Sequence, residues 1–285
     1  MTEVDDALLD ALMADMARVA KVEVLPRFQA IASDSARAKT APDDLVTDAD
    51  IAAEKALGTA LVTRLPGIVL VGEEAVSADK TILDRIADAD LCAIIDPVDG
   101  TWNFAHGIPV FGMILAITAK GRTIAGVIHY PVTGDFVVAR AGHGAWHVAA
   151  DGARQRLCVS VASSISEMTG FITMNVLPAD LRAKIASNSL KFRNVLNWRC
   201  SAFEYRLLAT GAVDFTMTAS LMPWDHAAGA LIHSEAGGYS AMLDGSPYVP
   251  SRRKGHLLLA PDVKSWSECR AGLCDEQVDE ILTAG

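Results

Sequence analysis

A chain that runs from Leu91-Cys92-Ala93-Ile94-Ile95 straight into Asp96-Pro97-Val98-Asp99-Gly100-Thr101 must carry two carboxylates at the end of a buried strand. The apolar run is short, continuous and partly β-branched, which favours a strand. Pro97 fixes one φ angle, and Gly100 allows close approach of backbone or a conformation closed to other residues. Asp96, Asp99 and the Val98 carbonyl form a compact set of hard oxygen donors, which suits Mg²⁺ or Mn²⁺. If Thr101 opens a helix, the Gly100 and Thr101 amides face whatever the cations hold, and a helix N-terminus favours phosphate. The segment therefore predicts metal-assisted phosphoryl chemistry.

The rest of the chain limits the alternatives. Its 285 residues allow one large domain or two of ordinary size, and 51% are apolar, enough for a sizeable core. The net charge of −10 argues against nucleic-acid or membrane-surface partners, and bound divalent cations would reconcile it with a phosphate ligand. No apolar run approaches the ~20 residues that span a bilayer. The acidic start (Glu3, Asp5, Asp6) lacks the basic and apolar blocks of a signal peptide. Cys92, Cys158, Cys200, Cys269 and Cys274 have no metal-ligand spacing and read as reduced thiols of a cytoplasmic protein.

Apolar spacing predicts a first helix through Leu8, Leu12, Met16 and Val19, kinked at Pro26. Residues 33–44 read as a loop. Thr47 is an expected N-cap with Asp50 three residues on, opening a helix that stops at Pro66-Gly67. A strand over 68–71 leads to Gly72-Glu73-Glu74, and 81–87 suggests a short helix. Strands at 110–118, 123–129, 136–140 and 145–148 with short connections predict antiparallel hairpins. Beyond Asp151-Gly152, strands (171–174, 195–198, 214–217, 256–259) alternate with helices (178–187, 201–210, 224–236, 262–282). The division falls between residues 1–153 and 154–285.

Asp225, in the first turn of a helix introduced by Pro223, is explained by the helix dipole alone, as Glu73 is by a strand end. Together with Asp96 and Asp99, however, they supply the carboxylates that a two-metal phosphatase needs. Gly72-Glu73-Glu74, the segment from Asp96 to Phe104, and Trp224-Asp225-His226-Ala227-Ala228-Gly229 closely resemble the three signatures of the inositol monophosphatase family. Asp44-Leu45-Val46-Thr47-Asp48-Ala49-Asp50 resembles that family's N-terminal element, so the resemblance covers nearly the whole chain.

The resemblance implies an αβαβα layered sandwich, with an α+β N-terminal half and an α/β C-terminal half. It also implies Mg²⁺ in two or three sites, lithium sensitivity and a homodimer. By the same resemblance Glu73, Asp96 and the Val98 carbonyl hold the first metal. Asp96, Asp99 and Asp225 hold the second, and Glu73 reaches a third. Thr101 and Glu73 orient water, with Asp50 behind Thr101. The Gly100 and Thr101 amides hold phosphate, and Lys39 matches a lysine near the metals.

Two departures fall on the side of the leaving alcohol. An acid common in inositol-phosphate enzymes is replaced here by Thr218, and the usual Gly-Ser-Ala-Ala reads Arg199-Cys200-Ser201-Ala202. Ser201 and Thr218 are the expected substrate contacts. The expectation is hydrolysis of a small phosphate monoester of the inositol type. The alternatives are histidinol phosphate, to which Phe111-Gly112 bears some similarity, fructose bisphosphate or a nucleotide 3′-phosphate. The rival of another class is a regulatory protein that senses phosphate without turnover, against which Glu73, Asp50 and Thr101 argue.

Overall fold

The computed structural model describes residues 4–29, 37–38, 45–161, 164–275 and 278. Helix α1 (Asp6–Val19) is capped by the Asp5 carboxylate, which accepts from Leu8 N at 2.8 Å. It runs through a π turn (Ala20–Val24) into α2 (Leu25–Gln29), so the irregularity expected at Pro26 lies just before it. Proline has no N–H to return to the preceding turn, which loosens the ladder there. Strand β1 (Arg37–Ala38) pairs antiparallel with β2 (Leu45–Val46), so two residues of the expected loop are strand. The rest of 33–44 lies outside the described residues. Helix α3 (Asp48–Arg64) opens with the expected capping box between Thr47 and Asp50.

Strand β3 (Val69–Gly72) leads into α4 (Glu73–Ala78) and a 3₁₀ turn (Lys80–Ile86). Strand β4 (Cys92–Asp99) and helix α5 (Thr101–Ala105) follow. A meander of β5 (Gly112–Ala119), β6 (Arg122–Tyr130), β7 (Asp135–Arg140), β8 (Ala145–Val148) and β9 (Arg154–Arg156) completes a sheet ordered β3 to β9. Only β3 and β4 are parallel in it. Because β9 pairs with β8, the first sheet continues past the division placed at residue 153.

The second half holds β10 (Thr169–Ile172), α6 (Ala179–Ser189), β11 (Asn194–Leu196), α7 (Ser201–Ala209) and β12 (Phe215–Thr218). It continues with α8 (Pro223–Glu235), β13 (Tyr239–Met242), β14 (Leu257–Ala260) and α9 (Val263–Leu273). Its sheet runs β11-β10-β12-β14-β13, parallel across β11-β10-β12 and antiparallel at β14. Helix α9 breaks at Leu273, where Cys274 is extended, and of the expected helix beyond Asp275 only Val278 is described, as helix.

Side-chain alternation along the strands builds the layers. From β4, Ala93 and Ile95 pack with Leu12 and Leu57 of α1 and α3. Its Cys92 and Ile94 turn to the opposite face, with Tyr205 of α7 and Ala228 of α8. From β14, Leu257 and Leu259 join that same middle layer, while Leu258 and Ala260 face α9 and α6 through Trp266 and Ile185. The result is the αβαβα sandwich. All five cysteines are free thiols, and no described helix is long and apolar enough to cross a membrane.

A polar strap fixes α7 to the first sheet. Arg206 donates to Asp135 at 2.6 and 3.2 Å and lies 4.4 Å over the Tyr130 ring, and Tyr130 Oη donates to Ala202 O at 2.8 Å. Burial raises the Asp135 carboxyl, but hydrogen bonds from Arg206, Thr133 and His147 outweigh it and hold the group down to about 2. A depressed carboxyl stabilises the fold above its ordinary value of ~3.9, and the contribution fades as pH falls toward that lowered value. Asp135→Ala is expected to cost about 2–3 kcal/mol in urea unfolding at pH 7, since it strands the Arg206 guanidinium. The cost should shrink in the same titration as pH falls below ~3.9.

Candidate active site

The end of β4 is bent where the chemistry needs it. Asp96 pairs with Ile114 and Asp99 with Gly112, and the register slips between them, a bulge that re-aims the two carboxylates. Val98 N donates back to Asp96 Oδ1 at 3.1 Å. Gly100 then turns the chain at φ +88°, and a β-carbon there would sit 2.8 Å from the Val110 carbonyl. Only glycine meets both conditions.

This turn starts α5, and Thr101 Oγ1 lies 3.2 Å from Asp50 Oδ1 and 3.0 Å from Val98 O. Asp50 is fully buried, and its Oδ2 accepts from both Thr47 N and Thr47 Oγ1. The capping box of α3 thus also presents an acceptor to the Thr101 hydroxyl.

Asp99 is gripped from the second half of the chain. Its carboxylate accepts from Ser201 N at 3.2 Å and Ala202 N at 2.5 Å, and the Cys200 thiol donates to it at 3.0 Å. Asp99 thereby caps α7 in place of a local side chain. Asp225, in the first turn of α8, meets Asp96 and Asp99, with one oxygen of each within 4.8 Å of the others. Glu73, half-buried at the start of α4, stands near enough to this trio for its charge to raise all three carboxyls.

The crowding shows in the proton affinities. Burial, followed by Glu73, Asp99, Asp225 and Asp50, raises the Asp96 carboxyl well above the usual range. Burial and then Asp99 and Glu73 do the same to Asp225. Asp99 is pushed up by burial to about 6, held there by hydrogen bonds from Cys200, Ala202 and Ser201. A buried, all-oxygen, multiply anionic set fits a hard divalent cation of the Mg²⁺ kind and not a thiophilic one.

Ser201 and Thr218 lie on α7 and at the end of β12. Ser201 contributes its backbone amide to Asp99. Thr218 is buried at the end of β12, its hydroxyl turned to the backbone of Ser220. Lys39 lies outside the described residues. Glu204, which the residue pattern did not single out, stands one turn after Ser201 and within hydrogen-bond reach of Thr216 Oγ1 at 3.5 Å. Burial and then the Asp99 charge push Glu204 up to about 8. Its i,i+3 spacing from Ser201 was the available signal. His226, beside Asp225, is buried and drawn down to about 4 by desolvation. Its Nε2–H donates to Ser220 O at 2.6 Å, which leaves Nδ1 to accept from Tyr205 Oη at 3.0 Å, so it packs the helix rather than serving the cluster.

The comparisons with known proteins point one way. The model of the inositol monophosphatase family matches residues 5–279. The fructose-1,6-bisphosphatase/inositol-1-monophosphatase of Thermotoga maritima is 32% identical over 206 residues, covering 72% of this chain and 74% of that protein. The histidinol-phosphatase of Mycobacterium tuberculosis is 33% identical over 243 residues, covering 83% and 88%. The crystal structure of the extragenic suppressor protein suhB from Bartonella henselae superposes with a TM-score of 0.82 at 23% identity, covering 95% of this chain and all of that one.

Raised carboxyl values mean that the unfolded chain ionises first. Cation-free protein should therefore lose stability as pH climbs from ~3.9 to the Asp99 value near 6. Millimolar Mg²⁺ is expected to remove that decline. Asp225→Asn should raise the cation-free Tm and abolish the Mg²⁺-induced increase. Thermal melts in EDTA and in Mg²⁺ across this pH range test both expectations.

Proposed function

This chain belongs to the inositol monophosphatase family, and we propose that it is a Mg²⁺-dependent enzyme that hydrolyses a small phosphate monoester with water as nucleophile. The observation that carries the reading is the convergence of Asp96, Asp99 and Asp225 within 4.8 Å. Glu73, Asp96 and the Val98 carbonyl would hold one cation; Asp96, Asp99 and Asp225 would hold a second; Glu73 would reach a third. Bound there, such ions neutralise phosphate oxygens, bring the pKa of a water down to about 7 and stabilise the leaving alkoxide.

The remaining work belongs to the chain itself. Phosphoryl transfer asks a protein for position and charge more than for a covalent step. The Thr101 hydroxyl donates its one hydrogen toward Val98 O and Asp50 Oδ1, so Oγ1 keeps a lone pair to accept from the attacking water. Glu73 orients the same water from α4. The Gly100 and Thr101 amides, at the head of α5, hold phosphate oxygens. Two α7 amides hold Asp99 against rotation.

On the alcohol side the reading favours an ester whose leaving group carries hydroxyl or amino groups, supported by the polar Glu204–Thr216 pair between α7 and β12. Inositol phosphate, histidinol phosphate, fructose bisphosphate and nucleotide 3′-phosphates all remain in the panel. Lithium sensitivity, a cytoplasmic location and a homodimer complete the reading on the resemblance. Phosphate release from that panel, with Mg²⁺, with chelator and with lithium, is the test. Absence of Mg²⁺-dependent release from every ester would overturn it. Asp99→Asn is expected to lower turnover by orders of magnitude. Glu204→Gln is expected to raise KM for the preferred ester and to spare p-nitrophenyl phosphate.

A further inference from the structure

Helix α4 carries Glu73 on its first residue, yet its N-cap is Gly72, which has no side chain to hold the open amides. The holding group comes from α3. Glu54 lays its carboxylate across the head of α4, with Oε2 accepting from Glu74 N at 2.8 Å and Oε1 from Ala75 N at 2.9 Å. A β-carbon on Gly72 would lie 2.2 Å from Glu54 Cδ and 2.4 and 2.5 Å from its two oxygens. The glycine of Gly72-Glu73-Glu74 thus makes room for this carboxylate, and any side chain there would dislodge it.

Glu54 also stands four residues after Asp50, the helical spacing that places two side chains on one face. Asp50 seats Thr101, at 3.2 Å. Glu54 seats the helix that begins with Glu73. Helix α3 therefore carries two carboxylates one turn apart, each holding an element of the site. Two adjacent amides need two acceptor atoms on one rigid group, and a carboxylate supplies them where a glutamine supplies one. The partial positive charge at a helix N-terminus favours the ionised form.

We propose that Glu54 is a positioning residue for Glu73, fixing the head of α4 so that the Glu73 carboxylate stays aimed at the Asp96–Asp99–Asp225 cluster. Its effect on turnover rests on the hydrolase reading; its effect on cation binding does not. The test uses Glu54→Ala, Glu54→Gln and Gly72→Ala, each alone and combined with Glu73→Gln. Three quantities are measured: calorimetric Mn²⁺ affinity, hydrogen exchange across residues 73–78, and kcat against KM.

Glu54→Ala is expected to weaken the Glu73-dependent Mn²⁺ site by roughly 10- to 100-fold, the usual scale for groups that orient a ligand. Exchange across 73–78 should quicken, and kcat should fall more than KM changes. Glu54→Gln should fall between wild type and alanine. With Glu73→Gln already present, Glu54→Ala should change Mn²⁺ affinity less than twofold. Equal losses with and without Glu73, or faster exchange at unchanged Mn²⁺ affinity, would overturn the proposal. Should Glu54→Ala not fold, Gly72→Ala carries the same expectation, because it leaves Glu54 in the chain and displaces its carboxylate. A wild type that binds Mn²⁺ through this cap but cleaves no ester would sustain the proposal and sink the hydrolase reading.

Discussion

Carboxylates brought within 4.8 Å of one another inside a protein repel, and a fold that keeps them there must supply opposing charge. This one supplies it with helix N-termini. Asp50, Glu73, Thr101 and Asp225 each lie in the first turn of a helix (α3, α4, α5 and α8), and Asp99 caps α7 from outside. Each start carries the partial positive charge of a helix N-terminus, and the amides at the heads of α4 and α7 are held by the carboxylates of Glu54 and Asp99. The same ends favour a phosphate dianion once cations neutralise the acids, so one arrangement serves both the empty and the loaded site.

That arrangement ties the two sheets together. Asp99 leaves the first sheet and is held by amides of α7, which lies in the layer between the sheets. Helix α7 is in turn held to the first sheet through Arg206 on Asp135 and the Tyr130 hydroxyl on the Ala202 carbonyl. These bonds join residues 1–153 to the other half of the chain. The acidic strand end is completed by a helix from the other half, and Asp225 arrives on the next helix of that half.

The parts of the site that were legible in the sequence are those whose geometry is local. Asp96-Pro97-Val98-Asp99-Gly100-Thr101 announces a strand end, a left-handed turn and a helix start through residue types that allow little else. The Thr47–Asp50 box is likewise complete within four residues. What stayed hidden is made by backbone or by distance. The grip on Asp99 comes from the Ser201 and Ala202 amides, which every residue possesses, so no residue type could have revealed that role. Glu54 looked like any polar residue on an amphipathic helix until its carboxylate was found across the head of α4. Strand β9 is Arg154-Gln155-Arg156, an exposed polar edge with no alternation to detect. The break after Leu273 was equally hidden, because no residue type there forbids helix while the backbone at Cys274 is extended.

The same distinction separates the phosphate half of the site from the alcohol half. Asp96, Asp99 and Asp225 converge as a set of hard oxygen donors and Gly100 is dictated by backbone space, features that residue type expresses directly. An alcohol is read by whichever polar groups the walls offer, and α7 and β12 can offer them from several positions. Thr218, where an acid is common, turns its hydroxyl to Ser220, while Glu204 brings a carboxylate from α7 toward the same cluster. The contact of α7 with β12, where Glu204 meets Thr216, lies outside every motif of the sequence.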